Sequence, residues 1–224
     1  MYLSVIIPVF NEQDSIKKVI KEWMFELNKY NLNYKFIIIN DGSVDNTQRI
    51  LNQIISKKIK VFQKKRQGHG KSCLFGYLYS IKNKFTHILQ IDGDGQCNPK
   101  YFRYFFENYK KKLAIYGYRY KRDDGLQRKI FSRLMEIIIF LVSFKFLKDP
   151  NTPYRLINTG LLKKIVYKIP KSISLVNVYL TYLLNKHVNI LYIPIRFRKR
   201  YDGTSKHNLK NMFKALFNLL INLK

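Results

Sequence analysis

The part of the sequence that decides the fold is the stretch His87-Ile88-Leu89-Gln90-Ile91-Asp92-Gly93-Asp94-Gly95-Gln96. It begins as an apolar run, which predicts a buried strand, and it ends in two aspartates separated by one glycine. Alternate side chains of a strand share a face, so Asp92 and Asp94 are expected to point the same way. Carboxylate oxygens at the end of a strand suit Mg²⁺ or Mn²⁺ together with a phosphate. Taken alone, the pair also fits an acidic surface turn, which aspartate and glycine favour.

Upstream of this stretch, the chain alternates apolar runs with segments of helical periodicity. The runs at residues 2–10, 34–39 and 60–63 predict three more strands, and apolar residues recur at helical spacing between them. Alternation of this kind, without a long linker, predicts a mostly parallel sheet with helices on both faces. The fold class indicated by the sequence is therefore α/β.

Polar side chains follow three of the four predicted strands. Asn11 and Glu12 follow the first strand, Asp41 follows the second, and the aspartate pair follows the fourth. Parallel strands place their carboxyl ends on one edge of the sheet, where α/β proteins bind ligands. Carboxylates gathered there suit ribose hydroxyls, base N–H groups and a metal ion. Three acidic strand ends in order favour a functional site over surface turns.

Three motifs carry a resemblance to a known family: the run from Ser4 to Glu12, the run Asn40-Asp41-Gly42-Ser43-x-Asp45-x-Thr47, and Asp92-x-Asp94-x-Gln96. Together they resemble the inverting family-2 glycosyltransferases of the GT-A fold, and more narrowly the dolichyl-phosphate mannosyltransferase branch, whose acceptors are polyprenyl phosphates. The resemblance covers almost the whole chain. It implies transfer of a sugar from a nucleotide sugar such as GDP-mannose or a UDP-sugar.

The resemblance also implies roles for residues of the first half. Binding of the nucleotide sugar falls to Pro8, Phe10, Asn11, Glu12, Asp41, Asp92 and Asp94. Binding of a Mg²⁺ or Mn²⁺ cofactor and the diphosphate falls to Asp92, Asp94 and Gln96. The family usually has alanine between the two aspartates, so Gly93 is a departure from its pattern.

In the second half, the resemblance implies a cationic site for the phosphate of the acceptor. The matching pieces are Gly-x-Arg119, Arg128-x-x-x-Ser132, an Asp-Pro turn that leads to Arg155, and a basic loop with a Gly-x-Ser-Lys end. The predicted phosphate contacts are Arg119, Arg128, Ser132, Arg155, Arg200, Ser205 and Lys206. Asp94, Arg119 and Arg155 are the predicted catalytic residues.

The domain organisation follows from the same pieces. Residues 1–207 are expected to form one GT-A catalytic domain, with a nucleotide-sugar-binding half at 1–97 and an acceptor-binding half at 98–207. Residues 208–224 predict an amphipathic helix with a basic polar face. A helix of that kind lies in a membrane interface or packs on the domain.

The acceptor decides whether a general base is needed. A lipid phosphate is already ionised near neutral pH, whereas a sugar hydroxyl, as in cell-surface polysaccharide synthesis, needs a carboxylate to take its proton. Asn177 occupies a position where many members of the family carry an acid, and this favours the phosphate acceptor. Asp149 is the reserve candidate for a base.

The basic composition raises rival hypotheses about what the protein binds. A formal net charge of +28 over 224 residues attracts nucleic acid, an anionic membrane or a phosphorylated substrate. No nucleic-acid recognition motif accompanies the charge, so we expect no nucleic-acid partner. The stretch from Gly68 to Ser72 contains Gly-Lys-Ser, but Lys65 stands where a phosphate-binding P-loop needs glycine.

The location of the protein is predicted from what the sequence lacks. Cys73 and Cys97 show neither disulfide nor zinc spacing, which fits a reduced, cytoplasmic setting. The N-terminus does not match a signal peptide, and the apolar run at residues 137–144 is too short to cross a bilayer. We therefore expect peripheral contact with the cytosolic face of a membrane. A scaffold role beside a membrane-spanning partner subunit is the alternative.

Overall fold

The computed structural model describes residues 1–54, 56–121, 126–143, 146–201 and 209–222. The strands are β1 (Tyr2–Val9), β2 (Asn33–Asn40), β3 (Ile59–Gln63), β4 (His87–Gln90), β5 (Ala114–Lys121), β6 (Arg155–Asn158) and β7 (Leu191–Arg196). The helices are α1 (Ile16–Leu27), α2 (Thr47–Gln53), α3 (His69–Lys82), α4 (Phe102–Asn108), α5 (Leu126–Ser143), α6 (Thr159–Ile165), α7 (Val176–Asn185) and α8 (Leu209–Asn222).

The seven strands form one sheet in the order β3-β2-β1-β4-β6-β5-β7. β6 runs antiparallel to β4 and β5, and the other neighbouring pairs are parallel. The prediction of a mostly parallel α/β sheet is confirmed. Because only β6 is reversed, its first residue, Arg155, pairs with Gln90 and Tyr116. The start of β6 therefore lies at the edge where β4 and β5 end.

Both faces of the sheet are buried, which explains the continuous apolar runs of the central strands. On β1, Ile6 packs into one core, while Val5 and Ile7 pack into the other. Helices α3, α5, α6, α7 and α8 contribute to the core around Ile6. Helices α1, α2 and α4 contribute to the core around Val5. The described helices therefore form two layers with the sheet between them.

The structure adds elements that the sequence did not predict, namely β6, α4, α6 and α7. It also ends β4 at Gln90, two residues before Asp92. The prediction that a strand carries Asp92 and orients both aspartates by alternation is therefore wrong. The two aspartates lie in the turn after the strand, where the partners of each side chain decide its direction.

Candidate active site at the carboxyl ends of the strands

A guanidinium group joins the carboxylates that follow β1 and β4. Arg200 Nη2 lies 2.9 Å from Glu12 Oε1, and Arg200 Nη1 lies 3.0 Å from Asp94 Oδ2. All three side chains are mostly buried, with exposed fractions of 14% for Arg200, 11% for Glu12 and 7% for Asp94. Residues far apart in sequence thus meet at one rim of the sheet, as the acidic strand ends predicted.

The segment that carries Arg200, residues 198–201, is fastened to the turn after β4. Arg198 Nε donates to the carbonyl oxygen of Gly95 at 3.0 Å, and Gln96 Nε2 donates to the carbonyl oxygen of Arg198 at 3.1 Å. Arg198 and Tyr201 also bind the two carboxylate oxygens of Glu22 on α1, at 2.8 and 2.7 Å. Gln96, a predicted metal ligand, thus uses its amide nitrogen to hold this segment.

The two glycines of the turn serve different purposes. Gly95 has φ +82°, and a Cβ there would collide with the Tyr201 ring. Gly93 has no such backbone angle, but a Cβ there would lie 2.8 Å from Val9 Cγ1. Val9 therefore fills the space that the family's usual alanine would need, which accounts for the departure at Gly93.

Substitution of Gly95 by alanine is expected to destabilise the protein by about 1–3 kcal/mol, because alanine resists a positive φ and displaces Tyr201. Urea unfolding measures the loss, and Gly68→Ala is the control because Gly68 also has a positive φ, +96°, but a Cβ there would meet nothing within 4 Å. Gly95→Ala should therefore lose more stability than Gly68→Ala. Equal stability of Gly95→Ala and wild type would contradict this packing.

Asp92 has a different partner from Asp94. Its Oδ1 lies 2.9 Å from His69 Nε2, at the start of α3. Burial of the carboxyl group would raise its pKa, but His69, Arg119 and Arg200 together hold the pKa of Asp92 below its usual range.

The motif at residues 40–47 holds the turn after β1 in place. Asn11 has φ +54°, its backbone N–H donates to Ser43 Oγ at 2.9 Å, and its Oδ1 accepts from Val44 N–H at 2.9 Å. Glu12 N–H donates to Thr47 Oγ1 at 2.8 Å. Ser43 and Thr47 therefore explain part of the motif structurally, because they fix the backbone that presents Glu12 to the site.

Asp41 is buried and receives two backbone N–H groups. Its Oδ1 accepts from Gln67 at 2.9 Å and its Oδ2 from Gly68 at 2.8 Å. These contacts attach the entry turn of α3 to the end of β2.

Phe10, half-buried at the end of β1, lies under the guanidinium of Arg66, 3.9 Å from ring centroid to Cζ.

Five predicted site residues remain, Pro8 in the first half and four in the second half. Pro8 is buried within β1, where it pairs with Ile39. Ser205 and Lys206 lie outside the described residues, and the side chains of Arg128 and Ser132 on α5 are likewise not described. Their roles stay predictions.

At the end of β5, Arg119 is paired with Asp149. Arg119 Nε donates to Asp149 Oδ2 at 2.6 Å, Nη2 contacts Oδ1, and the backbone N–H of Arg119 also donates to Oδ2 at 3.1 Å. Both side chains are about nine-tenths buried. Asp149 itself has φ +43°, and its N–H donates to Glu136 Oε1 of α5. The reserve candidate for a general base is thus committed to a bidentate ion pair.

Arg155 is completely buried, although the sequence predicted contact with an acceptor phosphate. Its guanidinium donates to the carbonyl oxygens of Pro150, Thr152 and Asn177, and it packs over the ring of Tyr116 at 4.6 Å. Every hydrogen-bond acceptor described for this guanidinium is a carbonyl or hydroxyl oxygen. The side chain lies behind the rim, between β6 and α7.

Sequence reasoning missed a polar network under the rim. The Tyr77 hydroxyl contacts Gln90 Oε1 and lies 2.9 Å from Asn177 Oδ1. Asn177 Nδ2 lies 3.9 Å from Cys73 Sγ, whose other neighbour is His69. Cys73 and Tyr77 look like core or surface positions in sequence, and Gly68-His69-Gly70 marked only the entry of α3. Asn177 stood out only because many members of the family carry an acid there. Asn177 is 2% exposed, and its amide cannot take a proton from an acceptor hydroxyl.

The carboxylates of this rim are the candidate ligands for a metal ion. Within the residues that the structure describes, no group of three or more His, Cys, Asp or Glu side chains is arranged to hold an ion. Mg²⁺ commonly uses one or two carboxylates and takes its other ligands from water and substrate phosphates. Asp94 and Asp92 fit that arrangement, and a bound diphosphate would supply further oxygen ligands.

The class of protein is identified by a family model that matches most of the chain. The model of the family described as "Glycosyl transferase family 2" matches residues 4–170. The chain therefore belongs to glycosyl transferase family 2.

Curated relatives match most of this chain. An undecaprenyl-phosphate 4-deoxy-4-formamido-L-arabinose transferase of Edwardsiella ictaluri (strain 93-146) is 24% identical over 98% of this chain and 67% of the relative. An uncharacterized protein of Methanocaldococcus jannaschii is 31% identical over 72% of this chain and 74% of the relative. The chain spans about two thirds of the length of the undecaprenyl-phosphate transferases that it matches.

Solved structures share the fold. Glucosyl-3-phosphoglycerate synthase from Mycobacterium tuberculosis, in complex with Mn²⁺, UDP and phosphoglyceric acid, superposes with a TM-score of 0.74 at 14% identity, covering 99% of this chain and 78% of that chain. Mannosyl-3-phosphoglycerate synthase from Rubrobacter xylanophilus gives 0.70 at 12% identity, covering 100% and 72%. The GT-A fold expected from the sequence is confirmed.

Among the described residues, no helix is both long enough and apolar enough to cross a membrane.

Proposed function

We propose that this glycosyltransferase moves one sugar from a nucleotide sugar to a polyprenyl phosphate, with inversion and with the help of Mg²⁺ or Mn²⁺. The observation that carries the proposal is the pairing of acids and guanidinium groups at one rim: Glu12 and Asp94 around Arg200, and Arg119 beside Asp149. Both reactants are anions, so the reaction needs cations near the leaving diphosphate and near the attacking phosphate.

The donor side of the proposed site is the rim of β1, β2 and β4. Phe10, Asn11, Glu12 and Asp41 would surround the nucleoside, while Pro8 supports β1 from inside. A divalent ion held by Asp94 and Asp92 would neutralise charge on the leaving diphosphate. Complexes of structural neighbours with Mn²⁺ and UDP-glucose support this arrangement.

The acceptor side is the rim of β5 and β7. Arg119 and Arg200 would bind the acceptor phosphate through paired N–H donors, which suit phosphate geometry. Neither position considered for a general base is suited to that role, because Asp149 is paired with Arg119 and the other position is the buried amide Asn177. An ionised phosphate oxygen needs no base, so these observations favour it over a sugar hydroxyl.

The lipid of the acceptor would be met by apolar faces on two helices. On α5, Ile130, Ile137, Phe140 and Leu141 are exposed, and on α8 Phe217, Leu220 and Ile221 are exposed. The two helices pack against each other and cover the same face of the sheet. Apolar exposure on a chain of net charge +28 suits an anionic bilayer surface, which we propose is the cytosolic face of a membrane.

Replacement of Phe217 by glutamate is expected to weaken binding to vesicles of anionic phospholipid by about tenfold or more, because an apolar side chain no longer enters the interface. Co-sedimentation measures the binding. Phe25→Glu is the matched control, since Phe25 is similarly exposed (69% against 66%) but lies on α1, in the other helix layer. Equal losses in both variants would reject α8 as the contact.

The experiment that tests the function combines the purified chain, Mn²⁺, a polyprenyl phosphate in detergent and a panel of UDP- and GDP-sugars. Mass spectrometry should detect a glycosyl polyprenyl phosphate, and EDTA should abolish its formation. Transfer to sugar hydroxyls alone would contradict the proposed acceptor. Turnover that appears only when a membrane-spanning subunit is added would favour the scaffold alternative.

A further inference from the structure

We infer that Arg155 positions Arg119 through the turn at residues 149–154, without touching the acceptor. The inference rests on the proposed function, because Arg119 is the group placed against the acceptor phosphate. It gives Arg155 a role that differs from the direct phosphate contact expected from the sequence.

The first step is the burial of the Arg155 charge. Removal of a guanidinium from water costs several kcal/mol unless polar partners replace the water. Here the partners are oxygens of the turn and of α7: Thr152 and Pro150 from the turn, and Asn177 from the helix. The three carbonyl groups converge on one planar cation, so their relative positions are tied to the presence of the guanidinium.

The second step is the connection from this turn to Asp149. The Thr152 N–H donates to the Asp149 carbonyl oxygen at 3.0 Å, and Thr152 Oγ1 donates to the Gly117 carbonyl oxygen of β5 at 2.6 Å. Pro150 follows Asp149 directly, and its carbonyl oxygen lies 2.8 Å from Thr181 Oγ1. The residues that Arg155 binds are therefore those that fix the backbone of Asp149, including its positive φ.

The third step is the orientation of Arg119. Asp149 holds Nε, Nη2 and the backbone N–H of Arg119 at once, which leaves the guanidinium one orientation relative to the turn. A displacement of the turn carries the Asp149 carboxylate with it and rotates Arg119. Misplacement of a catalytic group by about 1 Å is enough to cost roughly 100-fold in rate. Arg155 thus acts on the acceptor through the turn, the Asp149 carboxylate and the Arg119 guanidinium.

A double-mutant cycle tests the inference. Arg155→Met and Asp149→Asn are each expected to lower kcat/KM for the polyprenyl phosphate about 100-fold, with the KM for the nucleotide sugar little changed. The two losses should not multiply in the double variant, because both act through the same orientation of Arg119. Arg155→Lys should not rescue activity, since an ammonium cannot hold the three carbonyl groups at once. Multiplying losses, or full activity of Arg155→Lys, would overturn the inference.

If Arg155 only stabilised the fold, the result would differ. The kcat/KM for the nucleotide sugar, the kcat/KM for the polyprenyl phosphate and the melting temperature would then all fall together. If Arg155→Met fails to fold, Thr181→Val takes its place: it removes the hydroxyl beside the Pro150 carbonyl and should lower acceptor kcat/KM roughly fivefold. An unchanged acceptor kcat/KM in that variant would count against the inference.

A crystal structure of Arg155→Lys gives a readout that does not depend on activity. Displacement of Asp149 and Arg119 is expected, and an unmoved pair would overturn the inference. Wild-type protein that transfers no sugar to polyprenyl phosphate would instead contradict the proposed function, so the two failures are distinguishable.

Discussion

Asparagine in place of Asp94 is expected to lower the rate of sugar transfer by roughly 100- to 1000-fold while the protein stays folded. The asparagine side chain keeps an oxygen that can accept from the backbone N–H of Gln96. In the wild-type protein this N–H donates to Asp94 Oδ1 at 3.0 Å. It loses the negative charge that would hold a divalent ion against the leaving diphosphate. Binding of Mn²⁺ in the presence of UDP should weaken in parallel with the rate.

Steady-state transfer, thermal melting and Mn²⁺ titration together measure this change. Glu107→Gln is the control, because it removes the same charge from the exposed surface of α4. That variant should keep its wild-type rate. Transfer by Asp94→Asn at the wild-type rate would remove Asp94 from the chemistry and would leave the acidic rim without its proposed purpose.

The first half of the fold was predictable because local sequence and tertiary environment agree there. A central parallel strand is buried on both faces, so β1 and β2 appear as mainly apolar runs, and turn residues mark their ends. The helices between them are long enough for α1 and α3 to show helical periodicity. Prediction of the common rim then followed from the rule that parallel strands end on one edge.

The second half was less predictable because its short elements depend on distant partners. β6 has four residues, Arg155–Asn158, and it follows a proline-rich turn that itself resembles a loop. This segment is a strand because it pairs with β4 and β5, and its local sequence alone does not indicate one. α7 has buried side chains at all but its last position, so it lacks the polar face that makes a surface helix visible in sequence.

The candidate site, like the fold, has one part that the sequence predicted and one part that it did not. That Glu12, Asp41 and Asp94 lie on one rim was predicted from the strand ends, and the structure places them there. That Arg200 bridges Glu12 and Asp94, 188 and 106 residues away, had no local signal. Nor did the burial of Arg155, because an arginine in so basic a chain looks like a solvated charge until the surrounding carbonyl groups are known.

The bridge that Arg200 makes between Glu12 and Asp94 is expected to oppose metal binding and to favour sugar transfer. Its guanidinium lies against Asp94 Oδ2, the kind of oxygen that a divalent ion would use, so the two cations compete for one carboxylate. Without a metal, Arg200 relieves the repulsion between Glu12 and Asp94. With a metal at Asp94, repulsion between cations would favour release of Arg200 toward the incoming phosphate.

Arg200→Gln is therefore expected to bind Mn²⁺ about tenfold more tightly in the absence of donor, a gain of about 1.4 kcal/mol, while sugar transfer falls about 100-fold. Electron paramagnetic resonance titration measures the first change and steady-state kinetics the second. Lys199→Gln is the matched control, because it removes the same charge from an exposed position in the same segment, and its Mn²⁺ affinity should stay at the wild-type value. Tighter Mn²⁺ binding with lost transfer would be hard to explain by misfolding, which weakens both. Unchanged or weaker Mn²⁺ binding in Arg200→Gln would show that the guanidinium does not stand in the place of the metal.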